Sequence, residues 1–360
     1  MALLEQLGPD DAFADGADPE PVQVGVVGLG YWGPNLVRVL NELEVADVAW
    51  MCDRRASALA TLGRRFPSVQ RTQDFDEMLA DPAVEAVAVV TPVSTHYDLA
   101  MRALEAGKHV FVEKPLAASF AAAAELVHAA DERGLVLMPG HTFLYSPPVN
   151  RIRDLIRSGE LGEVYFVSMS RVNLGLHQSD VGVIWDLGPH DFSILLYWLG
   201  ERPRRVTSMG RACVDRLTED VAFINCEFES GTIAHVELSW LAPSKLRRTT
   251  IVGSKKMVVY DDGSNEPVRV FDFGVMPRDP QSFGEYLNYR TGDIVSPHID
   301  ASEPIALQME DFSLAIRTGS TPRSSPMLGL DVVRMIEAAE RSRDGNGKVG
   351  QWSARRADGH

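Results

Sequence analysis

The sequence predicts an α/β protein of two parts: an N-terminal doubly wound parallel sheet, and a C-terminal α+β domain with a large, mostly antiparallel open sheet. Three observations support this prediction. The 360 residues are too many for one ordinary hydrophobic core. Apolar strand-like runs alternate with amphipathic helical patterns up to about residue 145. Beyond that point strands follow one another with short turns, which is typical of antiparallel pairing.

In the first half, each short apolar run ends in turn residues and is followed by a helical pattern. The predicted strands are 22–28, 45–53, 85–92, 109–115 and 135–140. The predicted helices are 34–43, 55–66, 74–84, 95–108 and 119–134. Strands that alternate with helices of this length form a parallel sheet with helices on both faces. Such sheets commonly bind dinucleotides, so a dinucleotide-binding domain is predicted at residues 21–145.

The pattern changes in the second half, which we assign to a substrate and oligomerisation domain at 146–342. The predicted helices are 147–162, 189–199, 304–318 and 327–342. The predicted strands are 163–174, 204–214, 220–230, 231–241, 247–254 and 256–262. Outside both domains, residues 1–20 are predicted to be a disordered acidic leader and 343–360 a tail.

Composition excludes several classes of protein. The formal charge of −15 argues against nucleic-acid binding, because neutralising phosphates requires clustered Lys and Arg. No apolar run reaches the roughly 20 residues that span a bilayer, and the N-terminus lacks a basic secretory start, so a cytoplasmic location is expected. Cys52, Cys213 and Cys226 have no metal-binding spacing, so reduced, buried thiols and no metal are expected.

A glycine-rich turn lies directly between the first predicted strand and its helix. Gly28, Gly30 and Gly33 form a G-x-G-x-x-G motif, with Tyr31 and Trp32 between the last two glycines. In this context the first glycine permits the tight turn, the second lets the backbone approach a pyrophosphate, and the third allows close helix packing. The helix N-terminus adds free N–H groups for the phosphates. The motif predicts a Rossmann domain that binds NAD or NADP.

The end of the second strand bears on the choice between these two cofactors. Asp53 lies 20 residues after Gly33, where a carboxylate accepts hydrogen bonds from the ribose hydroxyls and repels a 2′-phosphate. Arg54 and Arg55 follow it directly, and Arg is the residue with which such sites accept NADP. NAD is favoured, and NADP stays open.

A second loop, "TPVSTH", follows another strand of the sheet, at the carboxyl end where open α/β sheets bind ligands. Thr91 and Pro92 are predicted to pass close to the cofactor. Ser94 or Thr95 is predicted to cap the following helix, and His96 is either a cofactor neighbour or a first-turn helix residue.

Two stretches supply candidates for acid–base chemistry. Oxidation of a secondary alcohol requires removal of the hydroxyl proton, which suits His or Lys. The strand "HVFVEKP" ends on Glu113 and Lys114, and "WDLGPHDF" places Asp186 four residues before His190. If both residues lie on a helix, they share one face. If Asp186 is the N-cap, its carboxylate binds backbone N–H groups instead.

Together these motifs resemble the glucose–fructose oxidoreductase and inositol dehydrogenase family (Gfo/Idh/MocA), over about residues 21–342. The resemblance rests on the glycine fingerprint, the TPVSTH loop, the EKP at 113–115 and the D-x-G-x-H at 186–190. It implies a cofactor-facing site in which Lys114 and His190 act as acid and base in exchangeable roles. Asp186 then orients His190 or contacts a substrate hydroxyl.

The resemblance also implies details around these residues. Glu113 is expected to orient Lys114 or the nicotinamide ribose, and the peptide bond before Pro115 is expected to be cis. Trp185 stands where many members have Gly, which suggests a narrower or aromatic-lined sugar site. Asp311, in the helix predicted at 304–318, stands where many members have His. This difference puts a role of that helix in the site in doubt.

Two segments resemble the branch of the family that acts on nucleotide sugars: "GYWGPNL" and the run from Ser239 to Asp262. Basic and polar residues near the second segment are candidates to bind a diphosphate or uronate, because Arg suits both. They are Lys245, Arg247, Arg248, Arg171 and Asn173. The alternative is a solvated strand edge protected by cations.

Several functions stay open. The leading hypothesis is NAD-dependent oxidation, at C3, of a UDP-hexose or its uronic acid. The alternatives are an NADPH-dependent keto-sugar reductase, an inositol or free-sugar dehydrogenase, and a cofactor-binding regulatory protein without turnover. Alternating apolar residues in the second domain predict a homodimer or homotetramer through its sheet.

Overall fold

In the computed structural model, residues 20–175, 181–214, 218–276, 288–345 and 350–351 are described. They form two sheets with helices packed against both. The first sheet has six strands in the order β3-β2-β1-β4-β5-β6, all parallel. Its strands are β1 (Val22–Val27), β2 (Ala46–Cys52), β3 (Gln70–Thr72), β4 (Ala86–Val89), β5 (His109–Glu113) and β6 (Leu137–Gly140). This is the classic dinucleotide-binding order, whose switch point lies between β1 and β4.

The helices of this half cover the sheet because each has one apolar face. They are α1 (Gly33–Glu42), α2 (Ala56–Gly63), α3 (Phe75–Ala80), α4 (His96–Glu105) and α5 (Phe120–Glu132). The strands carry Val and Ala that are almost fully buried, as expected of a parallel sheet covered on both faces. The α/β prediction is confirmed for this half.

The second sheet has nine strands in the order β14-β13-β12-β11-β7-β10-β9-β8-β15. All pairs are antiparallel except β7 with β10. The strands are β7 (Val164–Leu174), β8 (Pro203–Arg211), β9 (Val221–Phe228), β10 (Ile233–Ser239), β11 (Leu241–Gly253), β12 (Met257–Asp261), β13 (Val268–Met276), β14 (Asn288–Val295) and β15 (Gly350–Gln351). The helices are α6 (Pro147–Arg157), α7 (Val183–Leu199), α8 (Pro304–Thr318) and α9 (Pro326–Asp344). The mostly antiparallel open sheet is as predicted.

Five elements differ from the sequence prediction. Helix α7 begins at Val183, six residues earlier than predicted, so its catalytic candidates are helical. Strand β11 begins at Leu241 rather than 247, with a register irregularity before Leu246. Strands β3, β13 and β14 were not predicted, because their polar and glycine-containing sequences lack a clear apolar alternation.

The chain ends differ as well. Apart from Glu20, the predicted leader lies outside the described residues. In the predicted tail, α9 continues to Asp344, and Gly350–Gln351 pairs with β8. The prediction of buried thiols is correct for Cys52 and Cys226 and wrong for Cys213, which is exposed.

Helices α8 and α9 contact both halves of the molecule. Helix α8 packs on α1, and α9 packs on α5, β6, α7 and β8. Two exposed ion pairs join α8 and the residue before it to the first half, Arg317 with Glu85 at 2.5 Å and Arg38 with Glu303. The Arg38–Glu303 pair holds the start of α8 against α1, and the Arg317–Glu85 pair holds its end beside the amino end of β4. Among the residues that the structure describes, no helix is both long and apolar enough to cross a bilayer.

Candidate active site

The glycine turn between β1 and α1 has the shape that a dinucleotide needs. Gly28 has a φ of 96°, and a Cβ there would lie 2.5 Å from the carbonyl oxygen of Val90. A Cβ on Gly33 would lie 2.2 Å from the carbonyl oxygen of Gly28, whereas one on Gly30 would meet no atom of the described residues within 4 Å. The open space over Gly30, beside the N-terminus of a helix, fits a pyrophosphate.

Asp53, at the end of β2, is held from both sides. Its Oδ2 accepts the N–H of Leu29 at 2.7 Å, and the Arg55 guanidinium donates to both carboxylate oxygens at 3.0 Å. Burial acts to raise the pKa of Asp53, but these hydrogen bonds outweigh it and hold the pKa below its usual value. A ribose diol at Asp53 would therefore compete with the exposed Arg55 side chain for the carboxylate oxygens. Arg54 is exposed beside it, its backbone carbonyl accepting from Gln73.

The TPVSTH loop lies beside the same turn. Thr91 is half-buried against Gly28, and Pro92 is exposed. Thr95 occupies the N-cap position of α4, but its hydroxyl bonds to Thr91 and to the carbonyl of Pro92, so the predicted side-chain cap is wrong. His96 is buried, with its ring nitrogens 2.8 Å from the carbonyl oxygens of Thr91 and Pro115. It joins the two loops at the edge of the sheet.

Strand β5 delivers Lys114 to this edge. The Lys114–Pro115 peptide bond is cis, as predicted. The ammonium donates to the backbone carbonyl of Asp186 at 2.8 Å and lies 3.4 Å from its Oδ1. Asp186 Oδ2 accepts the indole N–H of Trp240 at 3.1 Å. Among the described residues, the partners of the Asp186 side chain are therefore Lys114 and Trp240 rather than His190.

Helix α7 places Asp186 and His190 one turn apart. Gly182 is its N-cap, so Asp186 lies inside the first turn and does not cap the helix. The carboxylate of Glu219 contacts this N-terminus, accepting the N–H of Ile184 at 3.4 Å, and is paired with Arg343 of α9. A carboxylate at a helix N-terminus is favoured by the helix dipole. The contact fixes the turn that carries the catalytic candidates.

These elements enclose a cavity of about 360 Å³. Its wall combines the glycine turn, the ends of β5 and β6, the first turns of α7 and α8, and the β11–β12 edge. The lining residues are Trp32, Glu113, Lys114, Gly140, Thr142, Phe143, Ser146, Asp186, His190, Arg247, Asp262, Pro304 and Ile305. The volume falls within the range of small-ligand sites.

The titratable groups around Lys114 are strongly perturbed. Burial lowers the pKa of His190 well below its usual value, and the nearby charges of Lys114 and Arg171 lower it further. Burial raises the pKa of Glu113 to about 7, although Lys114 opposes the rise. Burial, assisted by Lys114, lowers the pKa of His141 to about 3. His190 is therefore a neutral imidazole near pH 7, which is the form of a general base.

Phe143 forms the partition between this cavity and a buried ion pair. Its ring contacts the His190 ring edge-on at 5.1 Å, with the guanidinium of Arg171 4.6 Å from its centroid. Arg171 donates to Asp191 at 2.5 and 3.2 Å, and both side chains are almost fully buried. Arg171 thus neutralises Asp191 behind the wall, whereas Arg247 faces the cavity.

The other predicted substrate residues do not line this cavity. Asn173 is half-buried near the end of β7, and Lys245 is exposed on β11. Trp185 is buried and bonds to Glu340 of α9, so it does not line the cavity with an aromatic ring. Asp311 accepts the hydroxyl of Tyr145 at 2.6 Å.

Tyr31, which follows Gly30 in the glycine turn, is 83% exposed.

Strand pairing separates Arg247 from Arg248. Arg247 is opposite Arg171 on the inner face of the sheet, and Arg248 is opposite Ser170 on the outer face. The basic cluster that the sequence suggested is therefore divided between two faces.

Several contributors to the site were not predicted, and four of them bear on its chemistry or shape. Phe143 and Asp262 line the cavity, and Trp240 binds Asp186. His141 is buried next to Lys114, and no described residue bonds to either of its ring nitrogens. A signal existed for His141, since it follows a parallel strand at its carboxyl end. Asp262 follows an antiparallel strand, where no comparable rule applies.

Comparisons with known proteins agree with this geometry. The model of the Gfo/Idh/MocA oxidoreductase family with an NAD-binding Rossmann fold matches residues 22–141, and that of the Gfo/Idh/MocA C-terminal domain matches 149–259. The chain is 27% identical to the NADP⁺-dependent scyllo-inositol 2-dehydrogenase IolW of Bacillus subtilis, over 90% of this chain and 94% of that protein. It is 27% identical to the NAD⁺-dependent scyllo-inositol 2-dehydrogenase of the same organism, over 84% and 88%.

Among solved structures, the chain resembles GenD2 from gentamicin A biosynthesis in complex with NAD. The TM-score is 0.77 at 29% identity, and the match covers 91% of this chain and 95% of that one.

Proposed function

Because the chain belongs to the Gfo/Idh/MocA family of NAD-binding oxidoreductases, we propose that it oxidises a secondary ring hydroxyl of a sugar or polyol. One observation carries the proposal: Lys114, Asp186 and His190 line the same cavity as Trp32 of the glycine turn. A reacting carbon in that cavity lies between acid–base side chains and the cofactor-binding turn.

Lys114 binds the substrate hydroxyl oxygen. An ammonium has three N–H donors, and two of them point to the carbonyl and carboxylate oxygens of Asp186. The third donates to the substrate, where its charge stabilises the developing alkoxide. Asp186, itself held by Trp240, positions the ammonium.

His190 accepts the hydroxyl proton. Its Nδ1 is buried and has no partner among the residues that the structure describes, so Nε2 is the nitrogen that serves the cavity. Burial, and after it the neighbouring cations, disfavour the imidazolium, which keeps His190 neutral and able to accept a proton near neutral pH. When NAD is bound, its nicotinamide supplies the hydride acceptor, and the oxidised carbon is left as a carbonyl.

The activities of two relatives support this class of substrate, since both are scyllo-inositol dehydrogenases, one with NAD⁺ and one with NADP⁺. For this chain we favour NAD, because Asp53 lies where a 2′-phosphate would approach a carboxylate. Arg54 and Arg55 supply the cations for NADP as the alternative.

The finer proposal is a nucleotide-linked hexose, oxidised at C3. Its support is the exposed Lys245 on β11, two residues before the cavity-lining Arg247, in a chain of formal charge −15. The hexose then lies in the cavity and the diphosphate outside it, near Lys245.

We also propose a homodimer or homotetramer through the nine-stranded sheet. Its support is an exposed apolar surface on this sheet, whose side chains are neighbours across adjacent strands. Phe166 pairs with Ile233, and Phe223 pairs with Met209. All four side chains are at least 42% exposed. Burial of such a surface stabilises an oligomer by the hydrophobic effect.

The test is reduced-nicotinamide absorbance with NAD⁺ or NADP⁺ and a panel of scyllo-inositol, D-xylose, UDP-glucose, UDP-N-acetylglucosamine and dTDP-glucose. Oxidation of at least one is expected, with kcat lowered roughly 100- to 10,000-fold in Lys114→Met and His190→Gln. His128→Gln, exposed on α5, is the matched control and keeps full activity. If the cofactor binds but none of these substrates is oxidised, the result contradicts a dehydrogenase. Oxidation of NADPH by a keto-sugar is then the test of the reductase alternative.

A further inference from the structure

The cationic groups on the wall of the cavity are already paired. Among the described residues that line it, Lys114 lies 3.4 Å from Asp186, and Arg247 donates to Asp262 at 2.9 Å. His190 is neutral near pH 7. The wall therefore alternates donors with acceptors and has no excess positive charge.

Asp262 is fixed in this arrangement. Its backbone N–H donates to the carbonyl of Arg247 at 3.0 Å, and the hydroxyl of Tyr260 donates to its Oδ1 at 3.1 Å. Arg247 in turn lies 5.7 Å from the centroid of Phe143. These contacts anchor both charges of the pair at the end of the cavity formed by β11 and β12, with 36% of Arg247 and 28% of Asp262 exposed.

Arg171, the cation behind the Phe143 ring, does not change the balance of charge in the cavity. Arg171 lies opposite Arg247 in the sheet, but it binds Asp191 through two donors and is 6% exposed. A carboxylate or phosphate inside the cavity would compete with Asp262 for Arg247 at close range. A neutral hydroxyl, which donates and accepts, satisfies both members of the pair.

We propose that Asp262 determines substrate specificity: with Arg247 it binds a neutral hydroxyl of the sugar ring and excludes sugar acids from the cavity. This rests on the proposed function and narrows it, since the sequence alone left both a hexose and its uronic acid open as substrates. Discrimination by an unpaired or repelling charge is a general device of specific sites.

The experiment compares matched neutral and acidic ligands: D-glucose with D-glucuronate, and UDP-glucose with UDP-glucuronate. Binding to the protein–NADH complex is measured by calorimetry, and oxidation by absorbance with NAD⁺. Asp262→Asn keeps the size of the side chain and an acceptor for Tyr260, but leaves Arg247 without its carboxylate. Asp261→Asn is the control, because Asp261 pairs with Arg248 in the sheet and does not line the cavity.

The wild type is expected to prefer the neutral member of a pair. Asp262→Asn is expected to shift the acid-to-neutral ratio of affinities toward the acid by roughly 10- to 100-fold. Adding Arg247→Met should abolish that gain, and Asp261→Asn should behave like the wild type.

Failure of this inference is distinguishable from failure of the proposed function. A wild type that prefers the acid, or an unchanged ratio in Asp262→Asn, overturns the role of Asp262 while sugar oxidation stands. Binding with the expected ratios but without turnover supports the role of Asp262 and overturns the dehydrogenase. No binding of any probe by wild type or variant counts against both.

Discussion

Glu113 is expected to make the protein less stable as the pH rises toward neutrality. Burial raises the pKa of its carboxyl to about 7, from an ordinary value of 4.5, and Lys114 only partly opposes this. Between these values the unfolded chain loses the proton while the folded protein keeps it. The free energy of unfolding therefore falls as the pH rises from 4.5 to 7, and this contribution is lost above the folded pKa.

The magnitude follows from the same pKa values. At about 1.4 kcal/mol per pH unit, the whole interval corresponds to about 3 kcal/mol. Measurements should start near pH 5.5, above the sequence pI of about 5.1, so that the chain stays soluble. Between pH 5.5 and pH 7 the expected fall in the free energy of unfolding is then about 2 kcal/mol. Access of water to the cavity reduces this fall to about 1 kcal/mol.

The assay is thermal unfolding of cofactor-free wild type and Glu113→Gln from pH 5.5 to 8.5. Gln keeps an acceptor for the Lys114 N–H and carries no titrating proton. The variant should gain about 1 kcal/mol relative to wild type across the range, or roughly 2 °C in Tm. Glu105→Gln, exposed at the end of α4, should show no such gain. A constant difference between Glu113→Gln and wild type at all pH values would refute a buried, neutralised Glu113.

Three further substitutions test the fold around the site and the space for the cofactor. Asp191→Asn leaves the buried guanidinium of Arg171 without its carboxylate and should cost about 3 kcal/mol in chemical unfolding, whereas replacing both residues by apolar ones should recover most of this. If Asp191→Asn unfolds like the wild type, the pair contributes no stability. Gly33→Ala forces a Cβ against Gly28 and should lower stability by about 1–3 kcal/mol. Gly30→Ala should leave Tm unchanged yet weaken NAD binding in calorimetry, because its Cβ enters the open space; equal Tm losses in both alanine variants would contradict the geometry of the turn.

The sequence by itself determined the parallel sheet and most of its motifs. Strand and helix patterns are local properties of the chain, and so are the glycine turn and the strand that ends on Lys114. The four-residue spacing of Asp186 and His190 likewise needs only a helix to become a shared face. Each of these predictions required no knowledge of a distant partner.

The tertiary structure decided which side chains meet. Lys114 and Asp186 are 72 residues apart, and their contact depends on where α7 begins, which its Gly182 cap and the distant Glu219 fix. Register on β11 turned Arg247 inward beside Asp262. Such contacts arise from the packing of segments far apart in the chain, whose register and angles no local pattern encodes. For that reason the sequence indicated the chemistry of the site, and only the fold brought the residues of the cavity wall together.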